Sequence, residues 1–258
     1  MQPPRHILIT GAVGAIGGAL VECFAAQYPQ AQFTLVDLKA RALAAAVADL
    51  SGRAAAAAWD LSDVDSLPGL WADAVAERGP VDMLVNCAGI MEIRSLAGTG
   101  WALGKRLLDI NFNAPMQLMA LALPAMVRAG SGCVINISSM AGRVPIRGCS
   151  YYGAAKAGLG MASEIARLEL QDQGVDVITV YPGPVRSGLE AHARSQVKRG
   201  LISRFIPTGE PAAIASRILN AYMQRLPRVI YPDVYRPANL ISDLSGWVTS
   251  RLSPNPLH

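Results

Sequence analysis

Tyr152 and Lys156 stand four residues apart, and Ser139 stands thirteen residues ahead of the tyrosine. On a helix, residues four apart share a face one turn from each other, so a phenol and an ammonium would meet. An ammonium beside a phenol favours the phenolate and lowers its pKa from about 10 toward neutral. That makes Tyr152 a usable general acid/base for the proton of an alcohol. The Ser139 hydroxyl can hydrogen-bond a substrate oxygen. Tyr151 is five residues from Lys156 and points to another face. Tyr-x-x-x-Lys by itself is common on surface helices. Its weight here comes from Ser139 at a strand end and from a glycine-rich turn upstream.

That turn reads Thr10-Gly11-Ala12-Val13-Gly14-Ala15-Ile16-Gly17. It follows a strand-like run and opens a helix, the context in which glycines let the backbone approach a pyrophosphate and the helix end supplies N–H groups. A glycine-rich turn with no ligand is the plainer reading of the same residues. Asp37 ends the next strand twenty residues after Gly17, where a carboxylate can accept hydrogen bonds from an adenosine ribose and would repel a 2′-phosphate. Lys39 and Arg41 lie close by and argue the other way, or are solvated charges on the following helix. The carboxylate at the strand end favours NAD over NADP, with Leu38 beside it. Asp60-Leu61 could reach an adenine edge or cap a helix. Asn86-Cys87-Ala88-Gly89 leaves room for a cofactor, or is an ordinary turn.

The elements that must position these residues alternate along the chain. Strands are expected at His6–Thr10, Phe33–Val36, Val81–Asn86, Cys133–Ser138, Val175–Tyr181 and Arg228–Tyr231. Helices are expected at Ile16–Gln27, Arg41–Leu50, Asp63–Arg78, Trp101–Ala129, Tyr152–Gln171, Glu210–Arg225 and Asn239–Leu252, with a loop-rich stretch from Pro184 to Pro207. Ala54–Trp59 has helical propensity, and its place between two helices makes it a strand. Strand–helix alternation predicts an α/β fold of Rossmann type: a doubly wound parallel sheet with helices on both faces, in one domain over residues 1–258. Ligands in such sheets lie beyond the carboxyl ends of the strands.

The chain has 258 residues, 52% hydrophobic and 16% charged, a composition that buries a large core. The net charge of +4 comes from scattered Lys and Arg with no basic run, which argues against nucleic acid. Cys23, Cys87, Cys133 and Cys149 form no metal-ligand spacing and read as buried free thiols of a reducing compartment. No signal peptide or membrane span fits, so a cytoplasmic protein is expected.

Together Thr10-Gly11…Gly17, Asn86-Cys87-Ala88-Gly89, Asn111, Ser138-Ser139, Tyr152…Lys156 and Pro182-Gly183-Pro184-Val185 resemble the compact short-chain dehydrogenases/reductases, from Thr10 to about Met223. The resemblance implies a tetrad of Asn111, Ser139, Tyr152 and Lys156. Tyr152 would exchange the proton and Ser139 polarise the carbonyl. Lys156 would bind the nicotinamide ribose and connect through Asn111 to a water relay. It also implies that Pro182, Gly183, Val185 and Ser187 lie over the nicotinamide, Ser187 where a threonine often stands. The implied activity is hydride transfer between a secondary alcohol or ketone and NAD(H). Ile90, Met91, Val144 and Ile146 suggest an apolar substrate.

Three features depart from the family pattern. Ala15 replaces a glycine and would weaken cofactor binding if that position needs positive φ or close phosphate approach. Cys87 replaces an asparagine. The usual Asp-Gly-Gly after the last strand is absent, which questions a tetramer; the helices carrying Asn111 and Lys156 keep a homodimer as the expectation. In the tail, Leu240, Leu244, Trp247 and Val248 recur at helical spacing and either pack on the chain's own dimer or touch a membrane surface. His192 reads as a solvated loop histidine. The rival readings are a catalytically silent nucleotide-binding regulator and a 3-oxoacyl-carrier reductase using Arg128 or Arg147.

Overall fold

The computed structural model describes residues 3–197 and 207–236. Seven strands form one parallel sheet: β1 (His6–Thr10), β2 (Gln32–Asp37), β3 (Ala54–Ala58), β4 (Met83–Asn86), β5 (Gly132–Ile137), β6 (Val175–Pro182) and β7 (Arg228–Tyr231). Their order is β3-β2-β1-β4-β5-β6-β7. The helices are α1 (Ala15–Gln27), α2 (Ala40–Ala48), α3 (Leu67–Arg78), α4 (Leu96–Thr99), α5 (Trp101–Leu108), α6 (Ala114–Ala129), α7 (Ser150–Leu170), α8 (Gly188–Ser195) and α9 (Pro211–Met223). The strand order reverses between β1 and β4, where Thr10 lies opposite Asn86 at the carboxyl ends. A crevice opens at such a reversal.

The sheet is covered on both faces, so its central strands are apolar on both. All five residues of β1 are buried. Ile7 and Ile9 pack with Phe33, Leu35, Leu20 and Phe24 on one face. Leu8 turns the other way, to Val36, Leu84, Leu118 and Leu70. This is why the strands read as continuous apolar runs rather than as an alternation.

Ala54–Ala58 forms a strand against its helical propensity. It pairs in register with β2 from Phe33↔Ala54 to Asp37↔Ala58, because the ladder of β2 offers partners that an isolated alanine run lacks.

The helix over Trp101–Ala129 runs the predicted length but is not uniform. Residues Asp109–Asn113 form a π-helical turn between α5 and α6. Asp109 anchors that turn, pairing with Lys105 at 2.6 Å and accepting from Asn113 Nδ2 at 2.8 Å. By length and composition the run could cross a membrane. Here Leu118, Met119, Ala122 and Met126 are buried against the sheet.

The loop-rich stretch after β6 also holds a short helix, α8, which starts at Gly188. Ser187 Oγ accepts from Glu190 N at 3.1 Å, and Glu190 pairs with Arg194 one turn on. Ser187-Gly-Leu-Glu190 is a capping-box spacing, a signal the sequence did carry. The helix expected at Asn239–Leu252 lies outside the described residues.

At the opposite end of the sheet, His6 is buried with both ring nitrogens engaged. Nδ1 lies 2.8 Å from Gly79 O and Nε2 2.9 Å from Thr34 Oγ1. Burial lowers its pKa below 6.5, against the opposing pull of the Gly79 carbonyl and the Asp82 carboxylate; Arg78 adds to the lowering. The unfolded chain therefore takes up a proton first as pH falls. The stabilisation is full above about 6.5 and is lost as pH drops through the depressed folded pKa. His6→Asn, which keeps a donor for Gly79, should lose less Tm than the wild type between about pH 8 and about pH 5 in scanning calorimetry. Equal losses in the two proteins would refute this role.

Candidate active site

The crevice is built first by backbone. Thr10 ends β1, and its Oγ1 accepts from Cys87 N at 3.1 Å and Ala88 N at 3.2 Å, tying the segment after β4 to the turn after β1. Gly11 follows with φ +66°, and a Cβ there would sit 2.7 Å from the Ala88 Cα. Gly17 is as tightly required, since its Cβ would fall 2.0 Å from the Gly11 oxygen. Only glycine allows both approaches. Gly14 is the N-cap of α1 and brings no side-chain cap, and the first turn, including Ala15 and Ile16, has no acidic residue. The amino end of α1 thus keeps its N–H groups and positive dipole end for an anion. Ala15 is already helical, so the departure from glycine adds no backbone strain.

Asp37 ends β2 beside this turn. Its Oδ2 accepts from Val13 N at 3.3 Å and its Oδ1 from Lys39 N at 3.2 Å, which anchors the carboxylate beside the turn. Leu38, Lys39 and Arg41 are exposed next to it. Asp60 Oδ1 accepts from the Ser62 N–H at 2.9 Å and the Ser62 hydroxyl at 2.7 Å, and these bonds hold its carboxyl below the usual range. Asp60 is thus committed to its own turn, while Leu61 is buried in the core.

The four tetrad candidates come from three elements. Ser139 follows β5, Tyr152 and Lys156 share a face of α7, and Asn111 sits in the π turn. The Ser139 side chain is hydrogen-bonded to Tyr152. Lys156 Nζ stands 6.0 Å from the Tyr152 ring centroid and donates to Ile137 O at 2.8 Å. Ser138 Oγ donates to the Lys156 carbonyl at 2.7 Å, clamping α7 to the end of β5. Asn111 Nδ2 donates to Ile90 O and Leu107 O, both at 2.9 Å, and its buried Oδ1 has no protein partner. A Cβ on Gly89 would lie 2.9 Å from that Oδ1 and 3.5 Å from Lys156 Nζ. The partnerless Asn111 carbonyl oxygen and the Lys156 ammonium thus pack closely on Gly89, where no side chain fits. Tyr151 goes elsewhere: its ring covers Gly104 of α5.

One electrostatic expectation is corrected. Burial pushes the Tyr152 phenol up to about 12, and the Ser139 hydrogen bond only partly opposes it. Lys156 does not bring it toward neutral, because the ammonium lies a ring's breadth away and gives its hydrogen bond to Ile137 O. Burial draws the ammonium itself down to about 8, so it stays mostly protonated at neutral pH.

Sequence reasoning missed a buried polar chain behind the site. Asn86 Nδ2 donates to Asn136 Oδ1 at 2.8 Å, Asn136 Nδ2 to Ser163 Oγ at 2.8 Å, and Ser163 Oγ to Leu159 O at 2.6 Å. Polar residues at Asn136 and Ser163 amid apolar runs were the available signal. Pro182 and Val185 are buried, and Gly183 N donates to Tyr231 O at 2.7 Å. Ser187 faces the amino end of α8 as its cap. His192 lies on α8 rather than in a loop, 3.0 Å from Glu92.

A family model described as short chain dehydrogenase matches residues 5–198. The chain belongs to the short-chain dehydrogenase family. It is 32% identical over 231 residues to a ketoacyl reductase of Nostoc sp., covering 88% of this chain and 78% of that protein. It is 31% identical over 215 residues to a cyclohexanol dehydrogenase of Acinetobacter sp., covering 81% and 83%. The fold matches a short-chain dehydrogenase from Sphingobium yanoikuyae in complex with NADPH, with a TM-score of 0.80, 27% identity and coverage of 95% of each chain. This short-chain dehydrogenase is therefore an oxidoreductase of the class acting on CH–OH groups.

The two adjacent tyrosines give a direct check of the site. Tyr152→Phe should lower turnover by roughly 10³-fold, the scale of a lost general acid/base, and Tyr151→Phe should stay within about threefold of wild type. Steady-state kinetics on both variants decides it. A reversed order would show that Tyr151 handles the proton.

Proposed function

We propose that this short-chain dehydrogenase interconverts an apolar secondary alcohol and its ketone with NAD(H), using Tyr152 as the general acid/base. The observation that carries the reading is the Ser139–Tyr152 hydrogen bond with the buried Lys156 ammonium 6.0 Å from the Tyr152 ring. The residues present fit a dinucleotide. The uncapped end of α1 would hold the pyrophosphate, Asp37 the adenosine ribose, and the Lys156 ammonium with the Asn111 side the nicotinamide ribose. When bound, the nicotinamide accepts the hydride from the carbinol carbon or returns it. The protein's own work is with the proton. In reduction Tyr152 Oη gives its proton to the oxygen of the forming alcohol and is left as the phenolate; in oxidation that phenolate takes the proton of the substrate hydroxyl as the carbonyl forms. A phenol near 12 is fully protonated at neutral pH, so it is ready as the acid in the reductive direction. Ser139 orients the substrate oxygen toward Tyr152, and Lys156 places a positive charge where negative charge develops.

Two further assignments go with this reading. The substrate is apolar because Met91, Ile93, Ile146, Cys149, Ala193 and Val197 cluster at the amino end of α7, and Val144 is buried nearby; the cyclohexanol dehydrogenase relative has a substrate of that kind in its name. The chain pairs with a second copy through the apolar residues that α7 exposes, Met161 at 62%, Ile165 at 46% and Leu168 at 56%.

The NAD preference rests on Asp37, against the example of the NADPH-bound Sphingobium structure. A carboxylate facing a 2′-phosphate at about 4 Å costs on the order of 1–4 kcal/mol. NAD(H) should therefore bind at least about tenfold tighter than NADP(H). Asp37→Ser should close most of that gap. Calorimetric titration of both dinucleotides measures it, and equal affinities in the wild-type protein would remove NAD from the proposal.

A further inference from the structure

Among the described residues, one carboxylate, that of Glu92, ties helix α8 to the segment after β4. Glu92 follows β4, about a hundred residues from α8 in sequence. Its Oε1 lies 3.0 Å from His192 Nε2, and its Oε2 accepts from the Gln196 side-chain amide. Gln196 Oε1 in turn accepts from Ile93 N at 2.8 Å. His192 and Gln196 stand four residues apart, on one face at the carboxyl end of α8. All three bonds from that face therefore converge on two consecutive residues.

Burial alone would raise the Glu92 carboxyl; the bonds from Gln196 and His192, with the nearby Arg94 charge, hold it below the usual carboxylate range, so it stays an anion. Beneath the polar contacts, Ala193 packs on Ile93 and Cys149. Cys149 is the N-cap of α7 and lies next to Tyr152. Gly148 O accepts from Arg94 N at 2.9 Å, which joins the Glu92 segment to the start of α7 as well. The order from outside inward is thus carboxylate, apolar roof, catalytic phenol. Arg194 reaches Glu190 within the helix and Thr208 at 2.9 Å beyond it.

We infer that Glu92 is a positioning residue that sets substrate size, by latching α8 through His192 and Gln196 so that the roof of Ile93, Ala193 and Cys149 closes on a compact, neutral cyclic alcohol. This rests on the proposed alcohol chemistry. Glu92 touches neither the reacting atoms nor the tetrad. Its effect passes through the distance between the roof and Tyr152, so it belongs in KM and in selectivity rather than in the chemical step.

The test compares wild type, Glu92→Ala and Glu92→Gln on cyclohexanol and on a bulky fused-ring secondary alcohol. Losing two hydrogen bonds to a charged group frees α8 by an amount worth about tenfold or more. Glu92→Ala should raise KM for cyclohexanol about tenfold, leave kcat within about twofold, and shift kcat/KM by about tenfold or more toward the bulky alcohol. Glu92→Gln retains an acceptor for one of the two donors and should fall between. Amide hydrogen exchange supplies a readout without turnover: the α8 amides should exchange about tenfold faster in Glu92→Ala, and those of α7 at the wild-type rate. Unchanged selectivity together with unchanged α8 exchange would overturn the latch. A loss shared equally by both alcohols would overturn it too, by showing a merely structural role. If no form oxidises any secondary alcohol, the functional reading falls, and the exchange rates still decide whether Glu92 holds α8.

Discussion

Burying the Lys156 ammonium is the constraint around which the active end of the sheet is arranged. An unpaired ammonium in a low-dielectric site is costly, and its pKa falls until it is neutralised or given partners. Here burial draws it down to about 8, and Nζ finds a partner in Ile137 O, to which it donates. That bond needs the end of β5 directly under α7. The Ser138 hydroxyl secures it by holding the Lys156 carbonyl, and Ser139, one residue on, is thereby delivered to Tyr152. The same few residues fix the strand-to-helix geometry and the catalytic contact.

The polar groups behind the site obey a related rule. The chain Asn86–Asn136–Ser163–Leu159 runs through a region that is otherwise apolar, crossing from β4 through β5 to α7. Each link satisfies a donor that would otherwise be stranded, and the chain sets the relative height of β4, β5 and α7. Among the described residues four buried side-chain oxygens stay without a protein partner, Asn86 Oδ1, Asn111 Oδ1, Thr179 Oγ1 and Tyr181 Oη. The Asn111 oxygen lies at the edge of the crevice, where the π turn has rotated it out of the regular helix pattern. Such turns commonly mark functional sites in long helices.

Membership of the short-chain dehydrogenases accounts for the sheet order, the glycine turn and the tyrosine–lysine pair. It does not account for the contacts among Glu92, His192 and Gln196. The family resemblance therefore speaks to the chemistry, while the segments after β4 and β6 lean on one another through contacts of their own.

The sequence by itself determined the parts that follow from local rules. The sheet was legible because buried parallel strands must be apolar on both faces, and the turn after β1 because only glycine tolerates a Cβ position 2.7 Å from Ala88. The choice of Tyr152 over Tyr151 followed from helical spacing alone, and Tyr151 does lie over Gly104. Tertiary structure decided whatever depends on partners distant in sequence. Ala54–Ala58 became a strand because β2 was there to pair with it. The phenol pKa went up instead of down because burial outweighed an ammonium already bonded to Ile137 O. The role of His192 depended on Glu92, a hundred residues away, and no spacing along the chain records that approach. Periodicity and glycine sterics act within a few residues and can be read from the sequence, whereas desolvation and long-range hydrogen bonding exist only once the chain has folded.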